Sequence, residues 1–275
     1  MKLRPKLFFK EAILFATTMA VGIFTAYRYV LMPGAIQLPE IRFSIWDAVL
    51  LVFLVLFFVF ASRYKKVANF FFRFFLIFIV FAGAQIVAGI IINPPVDLFI
   101  ALGAVLVFIF LRNILVHNLG VIIGIAGMAS IIGLALSPGT VIFLLVALSF
   151  YDIISVYVTK HMVTMARNMI NSGAPFGFIV PSEGGSFFQD KREATAGIGE
   201  HFMILGSGDV ALPLVLACSL AGLYVNQAIV VALFSLVGLF LTHLIFVNQE
   251  IRKPMAALPP IATMAIIGYL VSLLL

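Results

Sequence analysis

"LGSGDVALP", residues 205–213, sets a carboxylate among small and apolar residues, four positions before a proline. "LSFYDIISVY", residues 148–157, does the same with Asp152. A carboxylate in hydrocarbon costs on the order of 2.5–3.5 kcal/mol by insertion scales, so a chain that keeps one there needs a chemical reason for it. Whether these runs cross a membrane decides the fold.

Composition answers that first. Of the 275 residues, 64% are hydrophobic and 10% charged, and the mean hydropathy is +1.22. A soluble domain has about 45–50% apolar and about 25% charged residues. The chain therefore reads as an all-α polytopic membrane protein. The single cysteine, Cys218, excludes an intrachain disulfide. No Cys/His cluster has zinc-site spacing, so neither a metal nor another cofactor is expected. The net charge of +6 would suit nucleic acid in a soluble protein; its distribution here points to a membrane surface instead.

Apolar segments of roughly spanning length, about 20 residues each, fall at 11–31, 45–62, 70–92, 96–112, 118–137, 139–160, 200–223, 226–247 and 256–275. Nine spans are expected, the fourth of them short. "MPGAIQLPE", "NPP", "SPG" and "NQ" supply turn chemistry between several. The basic start, Lys2 to Lys10, leads into an uncleaved first helix, since no clear small-residue cleavage site follows. With nine spans, fifteen of the seventeen Lys and Arg residues share one side, and only Arg28 and Arg42 lie on the other. Positive-inside bias then places the N-terminus in the cytosol and the C-terminus outside. The organisation expected is one membrane domain: residues 1–160 with six spans, a long cytosolic loop over 161–199, and residues 200–275 with three spans.

That loop opens with "HMVTMARNMI", which suits an amphipathic extension of the sixth span. Within its Gly-, Pro- and Ser-rich remainder, Phe176 to Val180 is β-prone. Two readings stand: an apolar interfacial anchor, or a strand that pairs with an extended peptide. No internal repeat of the transporter kind is evident.

Of the eleven acids, Glu11, Asp47 and Asp97 fall near helix starts, where a carboxylate suits the positive dipole end. Six more lie in or beside connections. Only Asp152 and Asp209 sit well inside spans. Asp152 is eight residues before the cytosolic end of the sixth span, and Asp209 eight residues into the seventh, each about 12 Å deep. Antiparallel neighbours would bring them together. Ser149, Asp152, Ser155 and Thr159 share one helix face, which suits a hydrated cleft. Gly206 and Gly208 permit close backbone approach, and Pro213 deprives the Asp209 carbonyl of its helical partner. Among the histidines, His117, His161 and His201 lie near span ends, and His243 suits a helix–helix hydrogen bond.

Two apposed carboxylates share one proton, because like charges about 3 Å apart cannot both ionise. The ionised group can activate water, and the protonated one can polarise a carbonyl and protonate a leaving amine. A proton- or cation-coupled transporter or channel would also use such a pair, and is the rival reading.

Tyr151-Asp152 resembles the YD motif, and Gly206-Ser207-Gly208-Asp209 the GxGD motif, of the intramembrane aspartyl proteases, the presenilins and signal peptide peptidases. Their third motif, Pro-Ala-Leu near the start of the ninth span, resembles Ala256-Ala257-Leu258-Pro259, with Ala256 in place of the first proline. The resemblance implies a nine-span helical fold that cuts transmembrane helices. It implies Asp152 and Asp209 as catalytic residues, with Tyr151, Gly206, Gly208, Ala257, Leu258 and Pro259 lining the substrate. It implies transmembrane proteins or peptides as partners, in a lipid bilayer such as the cell membrane, with no nucleic acid. A homo-oligomer is compatible with the sequence. The compact loops and the absence of N-x-S/T sequons fit a microbial, archaeal homologue.

Overall fold

The computed structural model describes residues 4–32, 65–171, 173–182, 186–191, 193, 202–222, 224–249 and 254–274. Helix α1 (Pro5–Leu31) starts on Pro5, a residue whose missing N–H costs nothing in a first turn. Helices α2 (Lys65–Gly89), α3 (Val96–Phe110) and α4 (Ile114–Ala135) follow. Then come α5 (Pro138–Ile153), continued by a π-helical turn over Ile154–Val158, and the short α6 (His161–Asn171). Strand β1 (Gly177–Pro181) pairs antiparallel with β2 (Phe202–Gly206). Helices α7 (Ser207–Ala221), α8 (Val225–Val247) and α9 (Leu258–Ser272) complete the order.

Among the described residues, five helices are long and apolar enough to cross a membrane, and α3, α7 and α9 are shorter apolar helices. The expected span 45–62 lies outside the described residues. Exposed phenylalanines such as Phe70, Phe74, Phe78 and Phe110 coat the outside. Such a surface would drive aggregation in water and suits lipid.

Helix α4 is the centre of the bundle, packed against α1, α2 and α7. Its crossing with α2 is glycine on glycine: a Cβ at Gly83 would lie 2.5 Å from the Gly124 Cα. Small residues let membrane helices approach this closely and gain dispersion contacts. Ser137 and Asn113 cap α5 and α4 with side-chain oxygens, satisfying donors a helix start leaves bare. Residues 187–189 assist at α4, whose Ile114 and Leu115 N–H groups donate to the carbonyls of Gln189 and Phe187.

Three expectations change. The seventh span does not begin at 200: residues 202–206 are strand, and the helix starts at Ser207. A short apolar run carries no period that separates strand from helix, and the partner strand decides it. Phe176 to Val180 is no interfacial anchor either. Phe178, Ile179 and Val180 are fully buried, and Phe176 packs on Phe72 and Phe75 of α2 at ring separations of 6.3 and 5.8 Å.

Glu11 is not a carboxylate at a helix mouth. It sits in the second turn of α1, buried, with its two oxygens 3.2 and 3.1 Å from Nδ1 of buried His243 in α8. Glu11 and Asp97 are thus buried acids in addition to Asp152. His243 does make the helix–helix hydrogen bond expected of it. Removing one member leaves the other unsatisfied, which costs about 1–3 kcal/mol. Glu11→Ala should lower the thermal midpoint of the detergent-purified protein accordingly, and Glu11→Gln less. Equal midpoints for Glu11→Ala and wild type would show that the pair adds nothing.

Candidate active site

Asp152 stands in the last turn of α5, buried, and its Oδ2 accepts a hydrogen bond of 3.3 Å from the Leu258 backbone N–H. Directly beyond it the helix widens into the π turn, and the Asp152 carbonyl accepts from Ser155 Oγ at 3.1 Å. Single π turns concentrate at functional sites because they re-aim side chains. The widening ends at Lys160, the one described non-glycine residue with positive φ, at 54°.

The helix face expected to hold water is occupied with itself. Ser149 Oγ donates to Leu145 O at 2.7 Å, and Thr159 Oγ1 to Ser155 O at 3.4 Å. Backbone carbonyls on the same helix are the ordinary partners of such hydroxyls in membrane segments.

Asp209 is the third residue of α7, not eight residues inside it. It lies where the positive end of the helix dipole favours negative charge. Its carboxylate turns back over Gly206, the N-cap, and accepts that residue's N–H. This is half of a capping box, an acidic side chain at the third position bonded to the cap's backbone. A Cβ on Gly206 would fall 2.7 Å from Asp209 Oδ2, so the glycine is what lets the acid lie there. Above Gly208, by contrast, a Cβ would meet nothing within 4 Å, and the residue is exposed.

Helices α5, α7 and α9 pack against one another. They bring the two carboxylates within electrostatic reach of each other, with the start of α9 at Asp152. The Ala257-Leu258-Pro259 segment thus meets Asp152, but through its backbone. The Leu258 side chain is buried in the core, so it offers no open docking surface. A charge placed there, as in Leu258→Arg, would act by disrupting packing. Ala257 and Pro259 are half-buried, and Tyr151 is 47% exposed on α5.

Sequence reasoning missed what holds this segment. Thr242 Oγ1 on α8 reaches the carbonyls of Gly238 at 2.9 Å and of Ala257 at 3.5 Å. A Cβ on Gly238 would come within 2.6 Å of the Ile261 Cα. A glycine and a threonine four apart on an apolar helix were the available signal.

The hairpin is asymmetric. Ser207 N–H donates to Phe176 O at 3.4 Å. In an antiparallel pair, hydrogen-bonded and non-hydrogen-bonded partners alternate. With Gly177 opposite Gly206 and Ile179 opposite Ile204, the backbone groups of these four residues point away from the ladder. On β1 three of the four are taken: Asn118 of α4 pairs both groups of Ile179, each at 2.9 Å, and His117 Nε2 lies 3.0 Å from Gly177 O. On β2, Gly206 N–H goes to Asp209. No hydrogen bond from a described residue reaches the outward groups of Ile204.

A family model described as signal-peptide peptidase, presenilin aspartyl protease matches residues 63–275. Two solved structures of a presenilin family intramembrane aspartate protease are similar over nearly the whole chain. The one in the C222 space group has 25% identity, a TM-score of 0.59 and 94% coverage of both chains. The one in the P2 space group has 26% identity, a TM-score of 0.61 and 96% coverage of both chains. No curated protein matches the chain by sequence.

Proposed function

Since the chain belongs to the signal-peptide peptidase and presenilin family of aspartyl proteases, and is thus an intramembrane-cleaving aspartic endopeptidase, we propose that Asp152 and Asp209 are its catalytic pair. The observation that carries this is the convergence of α5, α7 and α9, which sets the two carboxyls within electrostatic reach of each other and the Leu258 N–H on Asp152. In the reaction, one carboxylate is ionised and the other protonated. The ionised group removes a proton from water, whose oxygen attacks the scissile carbonyl. The protonated group hydrogen-bonds the carbonyl oxygen as negative charge grows on it. Collapse of the tetrahedral adduct breaks the C–N bond, and a carboxyl group delivers the proton to the departing amine. The pair titrates as a unit, so neither acid has a fixed role.

A substrate helix must unwind to expose its carbonyl, and each bare backbone group costs several kcal/mol in lipid. The outward edge of β2 is the surface we assign to those groups. An extended segment added there would run beside Gly206 and into the open space above Gly208, next to Asp209. The sequence had offered Phe176 to Val180 for this pairing; with β1 closed by Asn118, the role passes to β2. Ala257 and Pro259 flank the other acid, and Tyr151 forms part of the approach.

Nine spans with a cytosolic N-terminus remain our reading of the topology, supported by the basic-residue asymmetry and the eight apolar helices among the described residues. Single cysteines near each terminus, in a Cys218-free background, should label from opposite sides; labelling of both from one side would overturn it.

Incubation of the purified protein with a labelled transmembrane peptide, read by product mass, tests the activity. The glycines sharpen it. Gly206→Ala forces the Asp209 carboxylate aside and should lower kcat about tenfold or more, equivalent to about 1.4 kcal/mol of lost transition-state stabilisation. Gly208→Ala meets open space, so stability should hold and the effect should appear in KM. Equal kinetics for Gly206→Ala and wild type would remove this glycine from the site.

A further inference from the structure

His117 and Asn118, the fourth and fifth residues of α4, are buried. Buried polar side chains at a membrane helix start ordinarily cap their own helix. These two do not: both turn outward to β1, about sixty residues further along the chain. The Asn118 amide donates through Nδ2 to Ile179 O and accepts at Oδ1 from Ile179 N–H, as a neighbouring strand would. His117 donates through Nε2 to Gly177 O. Its Nδ1 has no partner among the described residues. One helical turn thus satisfies three outward backbone groups of β1. Lys10 closes the far end, Nζ donating to Pro181 O at 2.8 Å.

An unclosed edge of this kind templates further strand pairing. Two open edges would offer an unwound substrate two places to add. Only addition along β2 lies in line with Asp209, whose carboxylate is bonded to the β2 residue Gly206.

We propose that Asn118 and His117 are positioning residues that close the β1 edge of the hairpin, so that substrate adds only to β2, in register with the aspartates. This rests on the protease reading above.

The test uses the full-length protein with Asn118→Leu, His117→Leu and His117→Gln, whose amide nitrogen can replace Nε2. Asn118→Leu should raise hydrogen exchange in the 177–181 segment. It should also lower kcat/KM on a transmembrane peptide by about tenfold, a 1.4 kcal/mol effect, chiefly through KM, and shift the product masses to other bonds. His117→Leu should act in the same direction, and His117→Gln should recover most of the loss. A protein that merely loses packing would lose rate without changing the bond cut. If wild type cleaves, and Asn118→Leu cleaves the same bonds with the same KM, the positioning role is overturned while the protease reading stands. Unchanged exchange at 177–181 overturns the closed edge whatever the activity. A wild-type protein that cuts no transmembrane peptide overturns the protease reading and this role with it.

Discussion

Asp152→Asn and Asp209→Asn should each abolish cleavage of a transmembrane peptide while the protein remains folded. Asparagine preserves the local hydrogen bonds. At position 152 its side-chain oxygen can still accept from Leu258 N–H, and at position 209 from Gly206 N–H. Neither variant can ionise or carry the shared proton. Positioned acid–base groups are worth about 10²–10⁴-fold each in rate, and loss of either member removes the function of both. The thermal midpoint should stay near wild type or rise, since a buried ionisable group is replaced by a neutral one that keeps its hydrogen bond. For the wild type, cleavage should follow a bell-shaped pH profile whose two apparent pKa values belong to the pair. Near wild-type cleavage by either Asn variant would end the assignment of the two acids as a pair. A pH profile that stays flat with chemistry limiting would end the shared-proton mechanism.

Much of this site is legible in the sequence, for one physical reason. Lipid makes an ionisable side chain expensive, so Asp152 and Asp209 stand out from their apolar surroundings without reference to any structure. The motifs around them, Tyr151-Asp152 and Gly206 to Asp209, then narrow the chemistry to peptide hydrolysis. What the sequence conceals is anything that depends on a distant partner. Residues 202–206 form a strand because β1 lies beside them. Asp209 therefore sits at a helix start, held by Gly206, rather than two turns inside a span. The π turn after Asp152 has no local signature in Ile154–Val158. Glu11 looks like a carboxylate at a helix mouth until His243, 232 residues away, is placed against it. His117 looks like a span-end histidine for the same reason. The aliphatic Leu258 suggests a docking surface, yet it contributes a backbone N–H and buries its side chain.

The alternation along the hairpin gives a second large effect, at a residue with no chemistry of its own. Ile204 lies opposite Ile179 in a pair that exchanges no ladder hydrogen bonds, so its N–H faces the open edge of β2. Ile204→Pro deletes that donor without deleting a bond to β1, the circumstance in which a strand tolerates proline. Met203, before it, is already in the extended conformation that a following proline favours. The hairpin should survive, with exchange at 177–181 unchanged. Substrate should not pair, because its carbonyl facing position 204 would be left bare in a buried site. An unsatisfied buried group costs about 1–3 kcal/mol, which corresponds to a loss in kcat/KM of about 5- to 150-fold. Leu205→Pro is the control. Leu205 faces Phe178 in a hydrogen-bonded pair, so that change should loosen the hairpin itself and speed exchange at 177–181. If Ile204→Pro cleaves as wild type does while the hairpin stays intact, substrate does not add along β2. The unwound backbone must then be held elsewhere, with the start of α9 at Ala257 as the remaining polar backbone beside the acids.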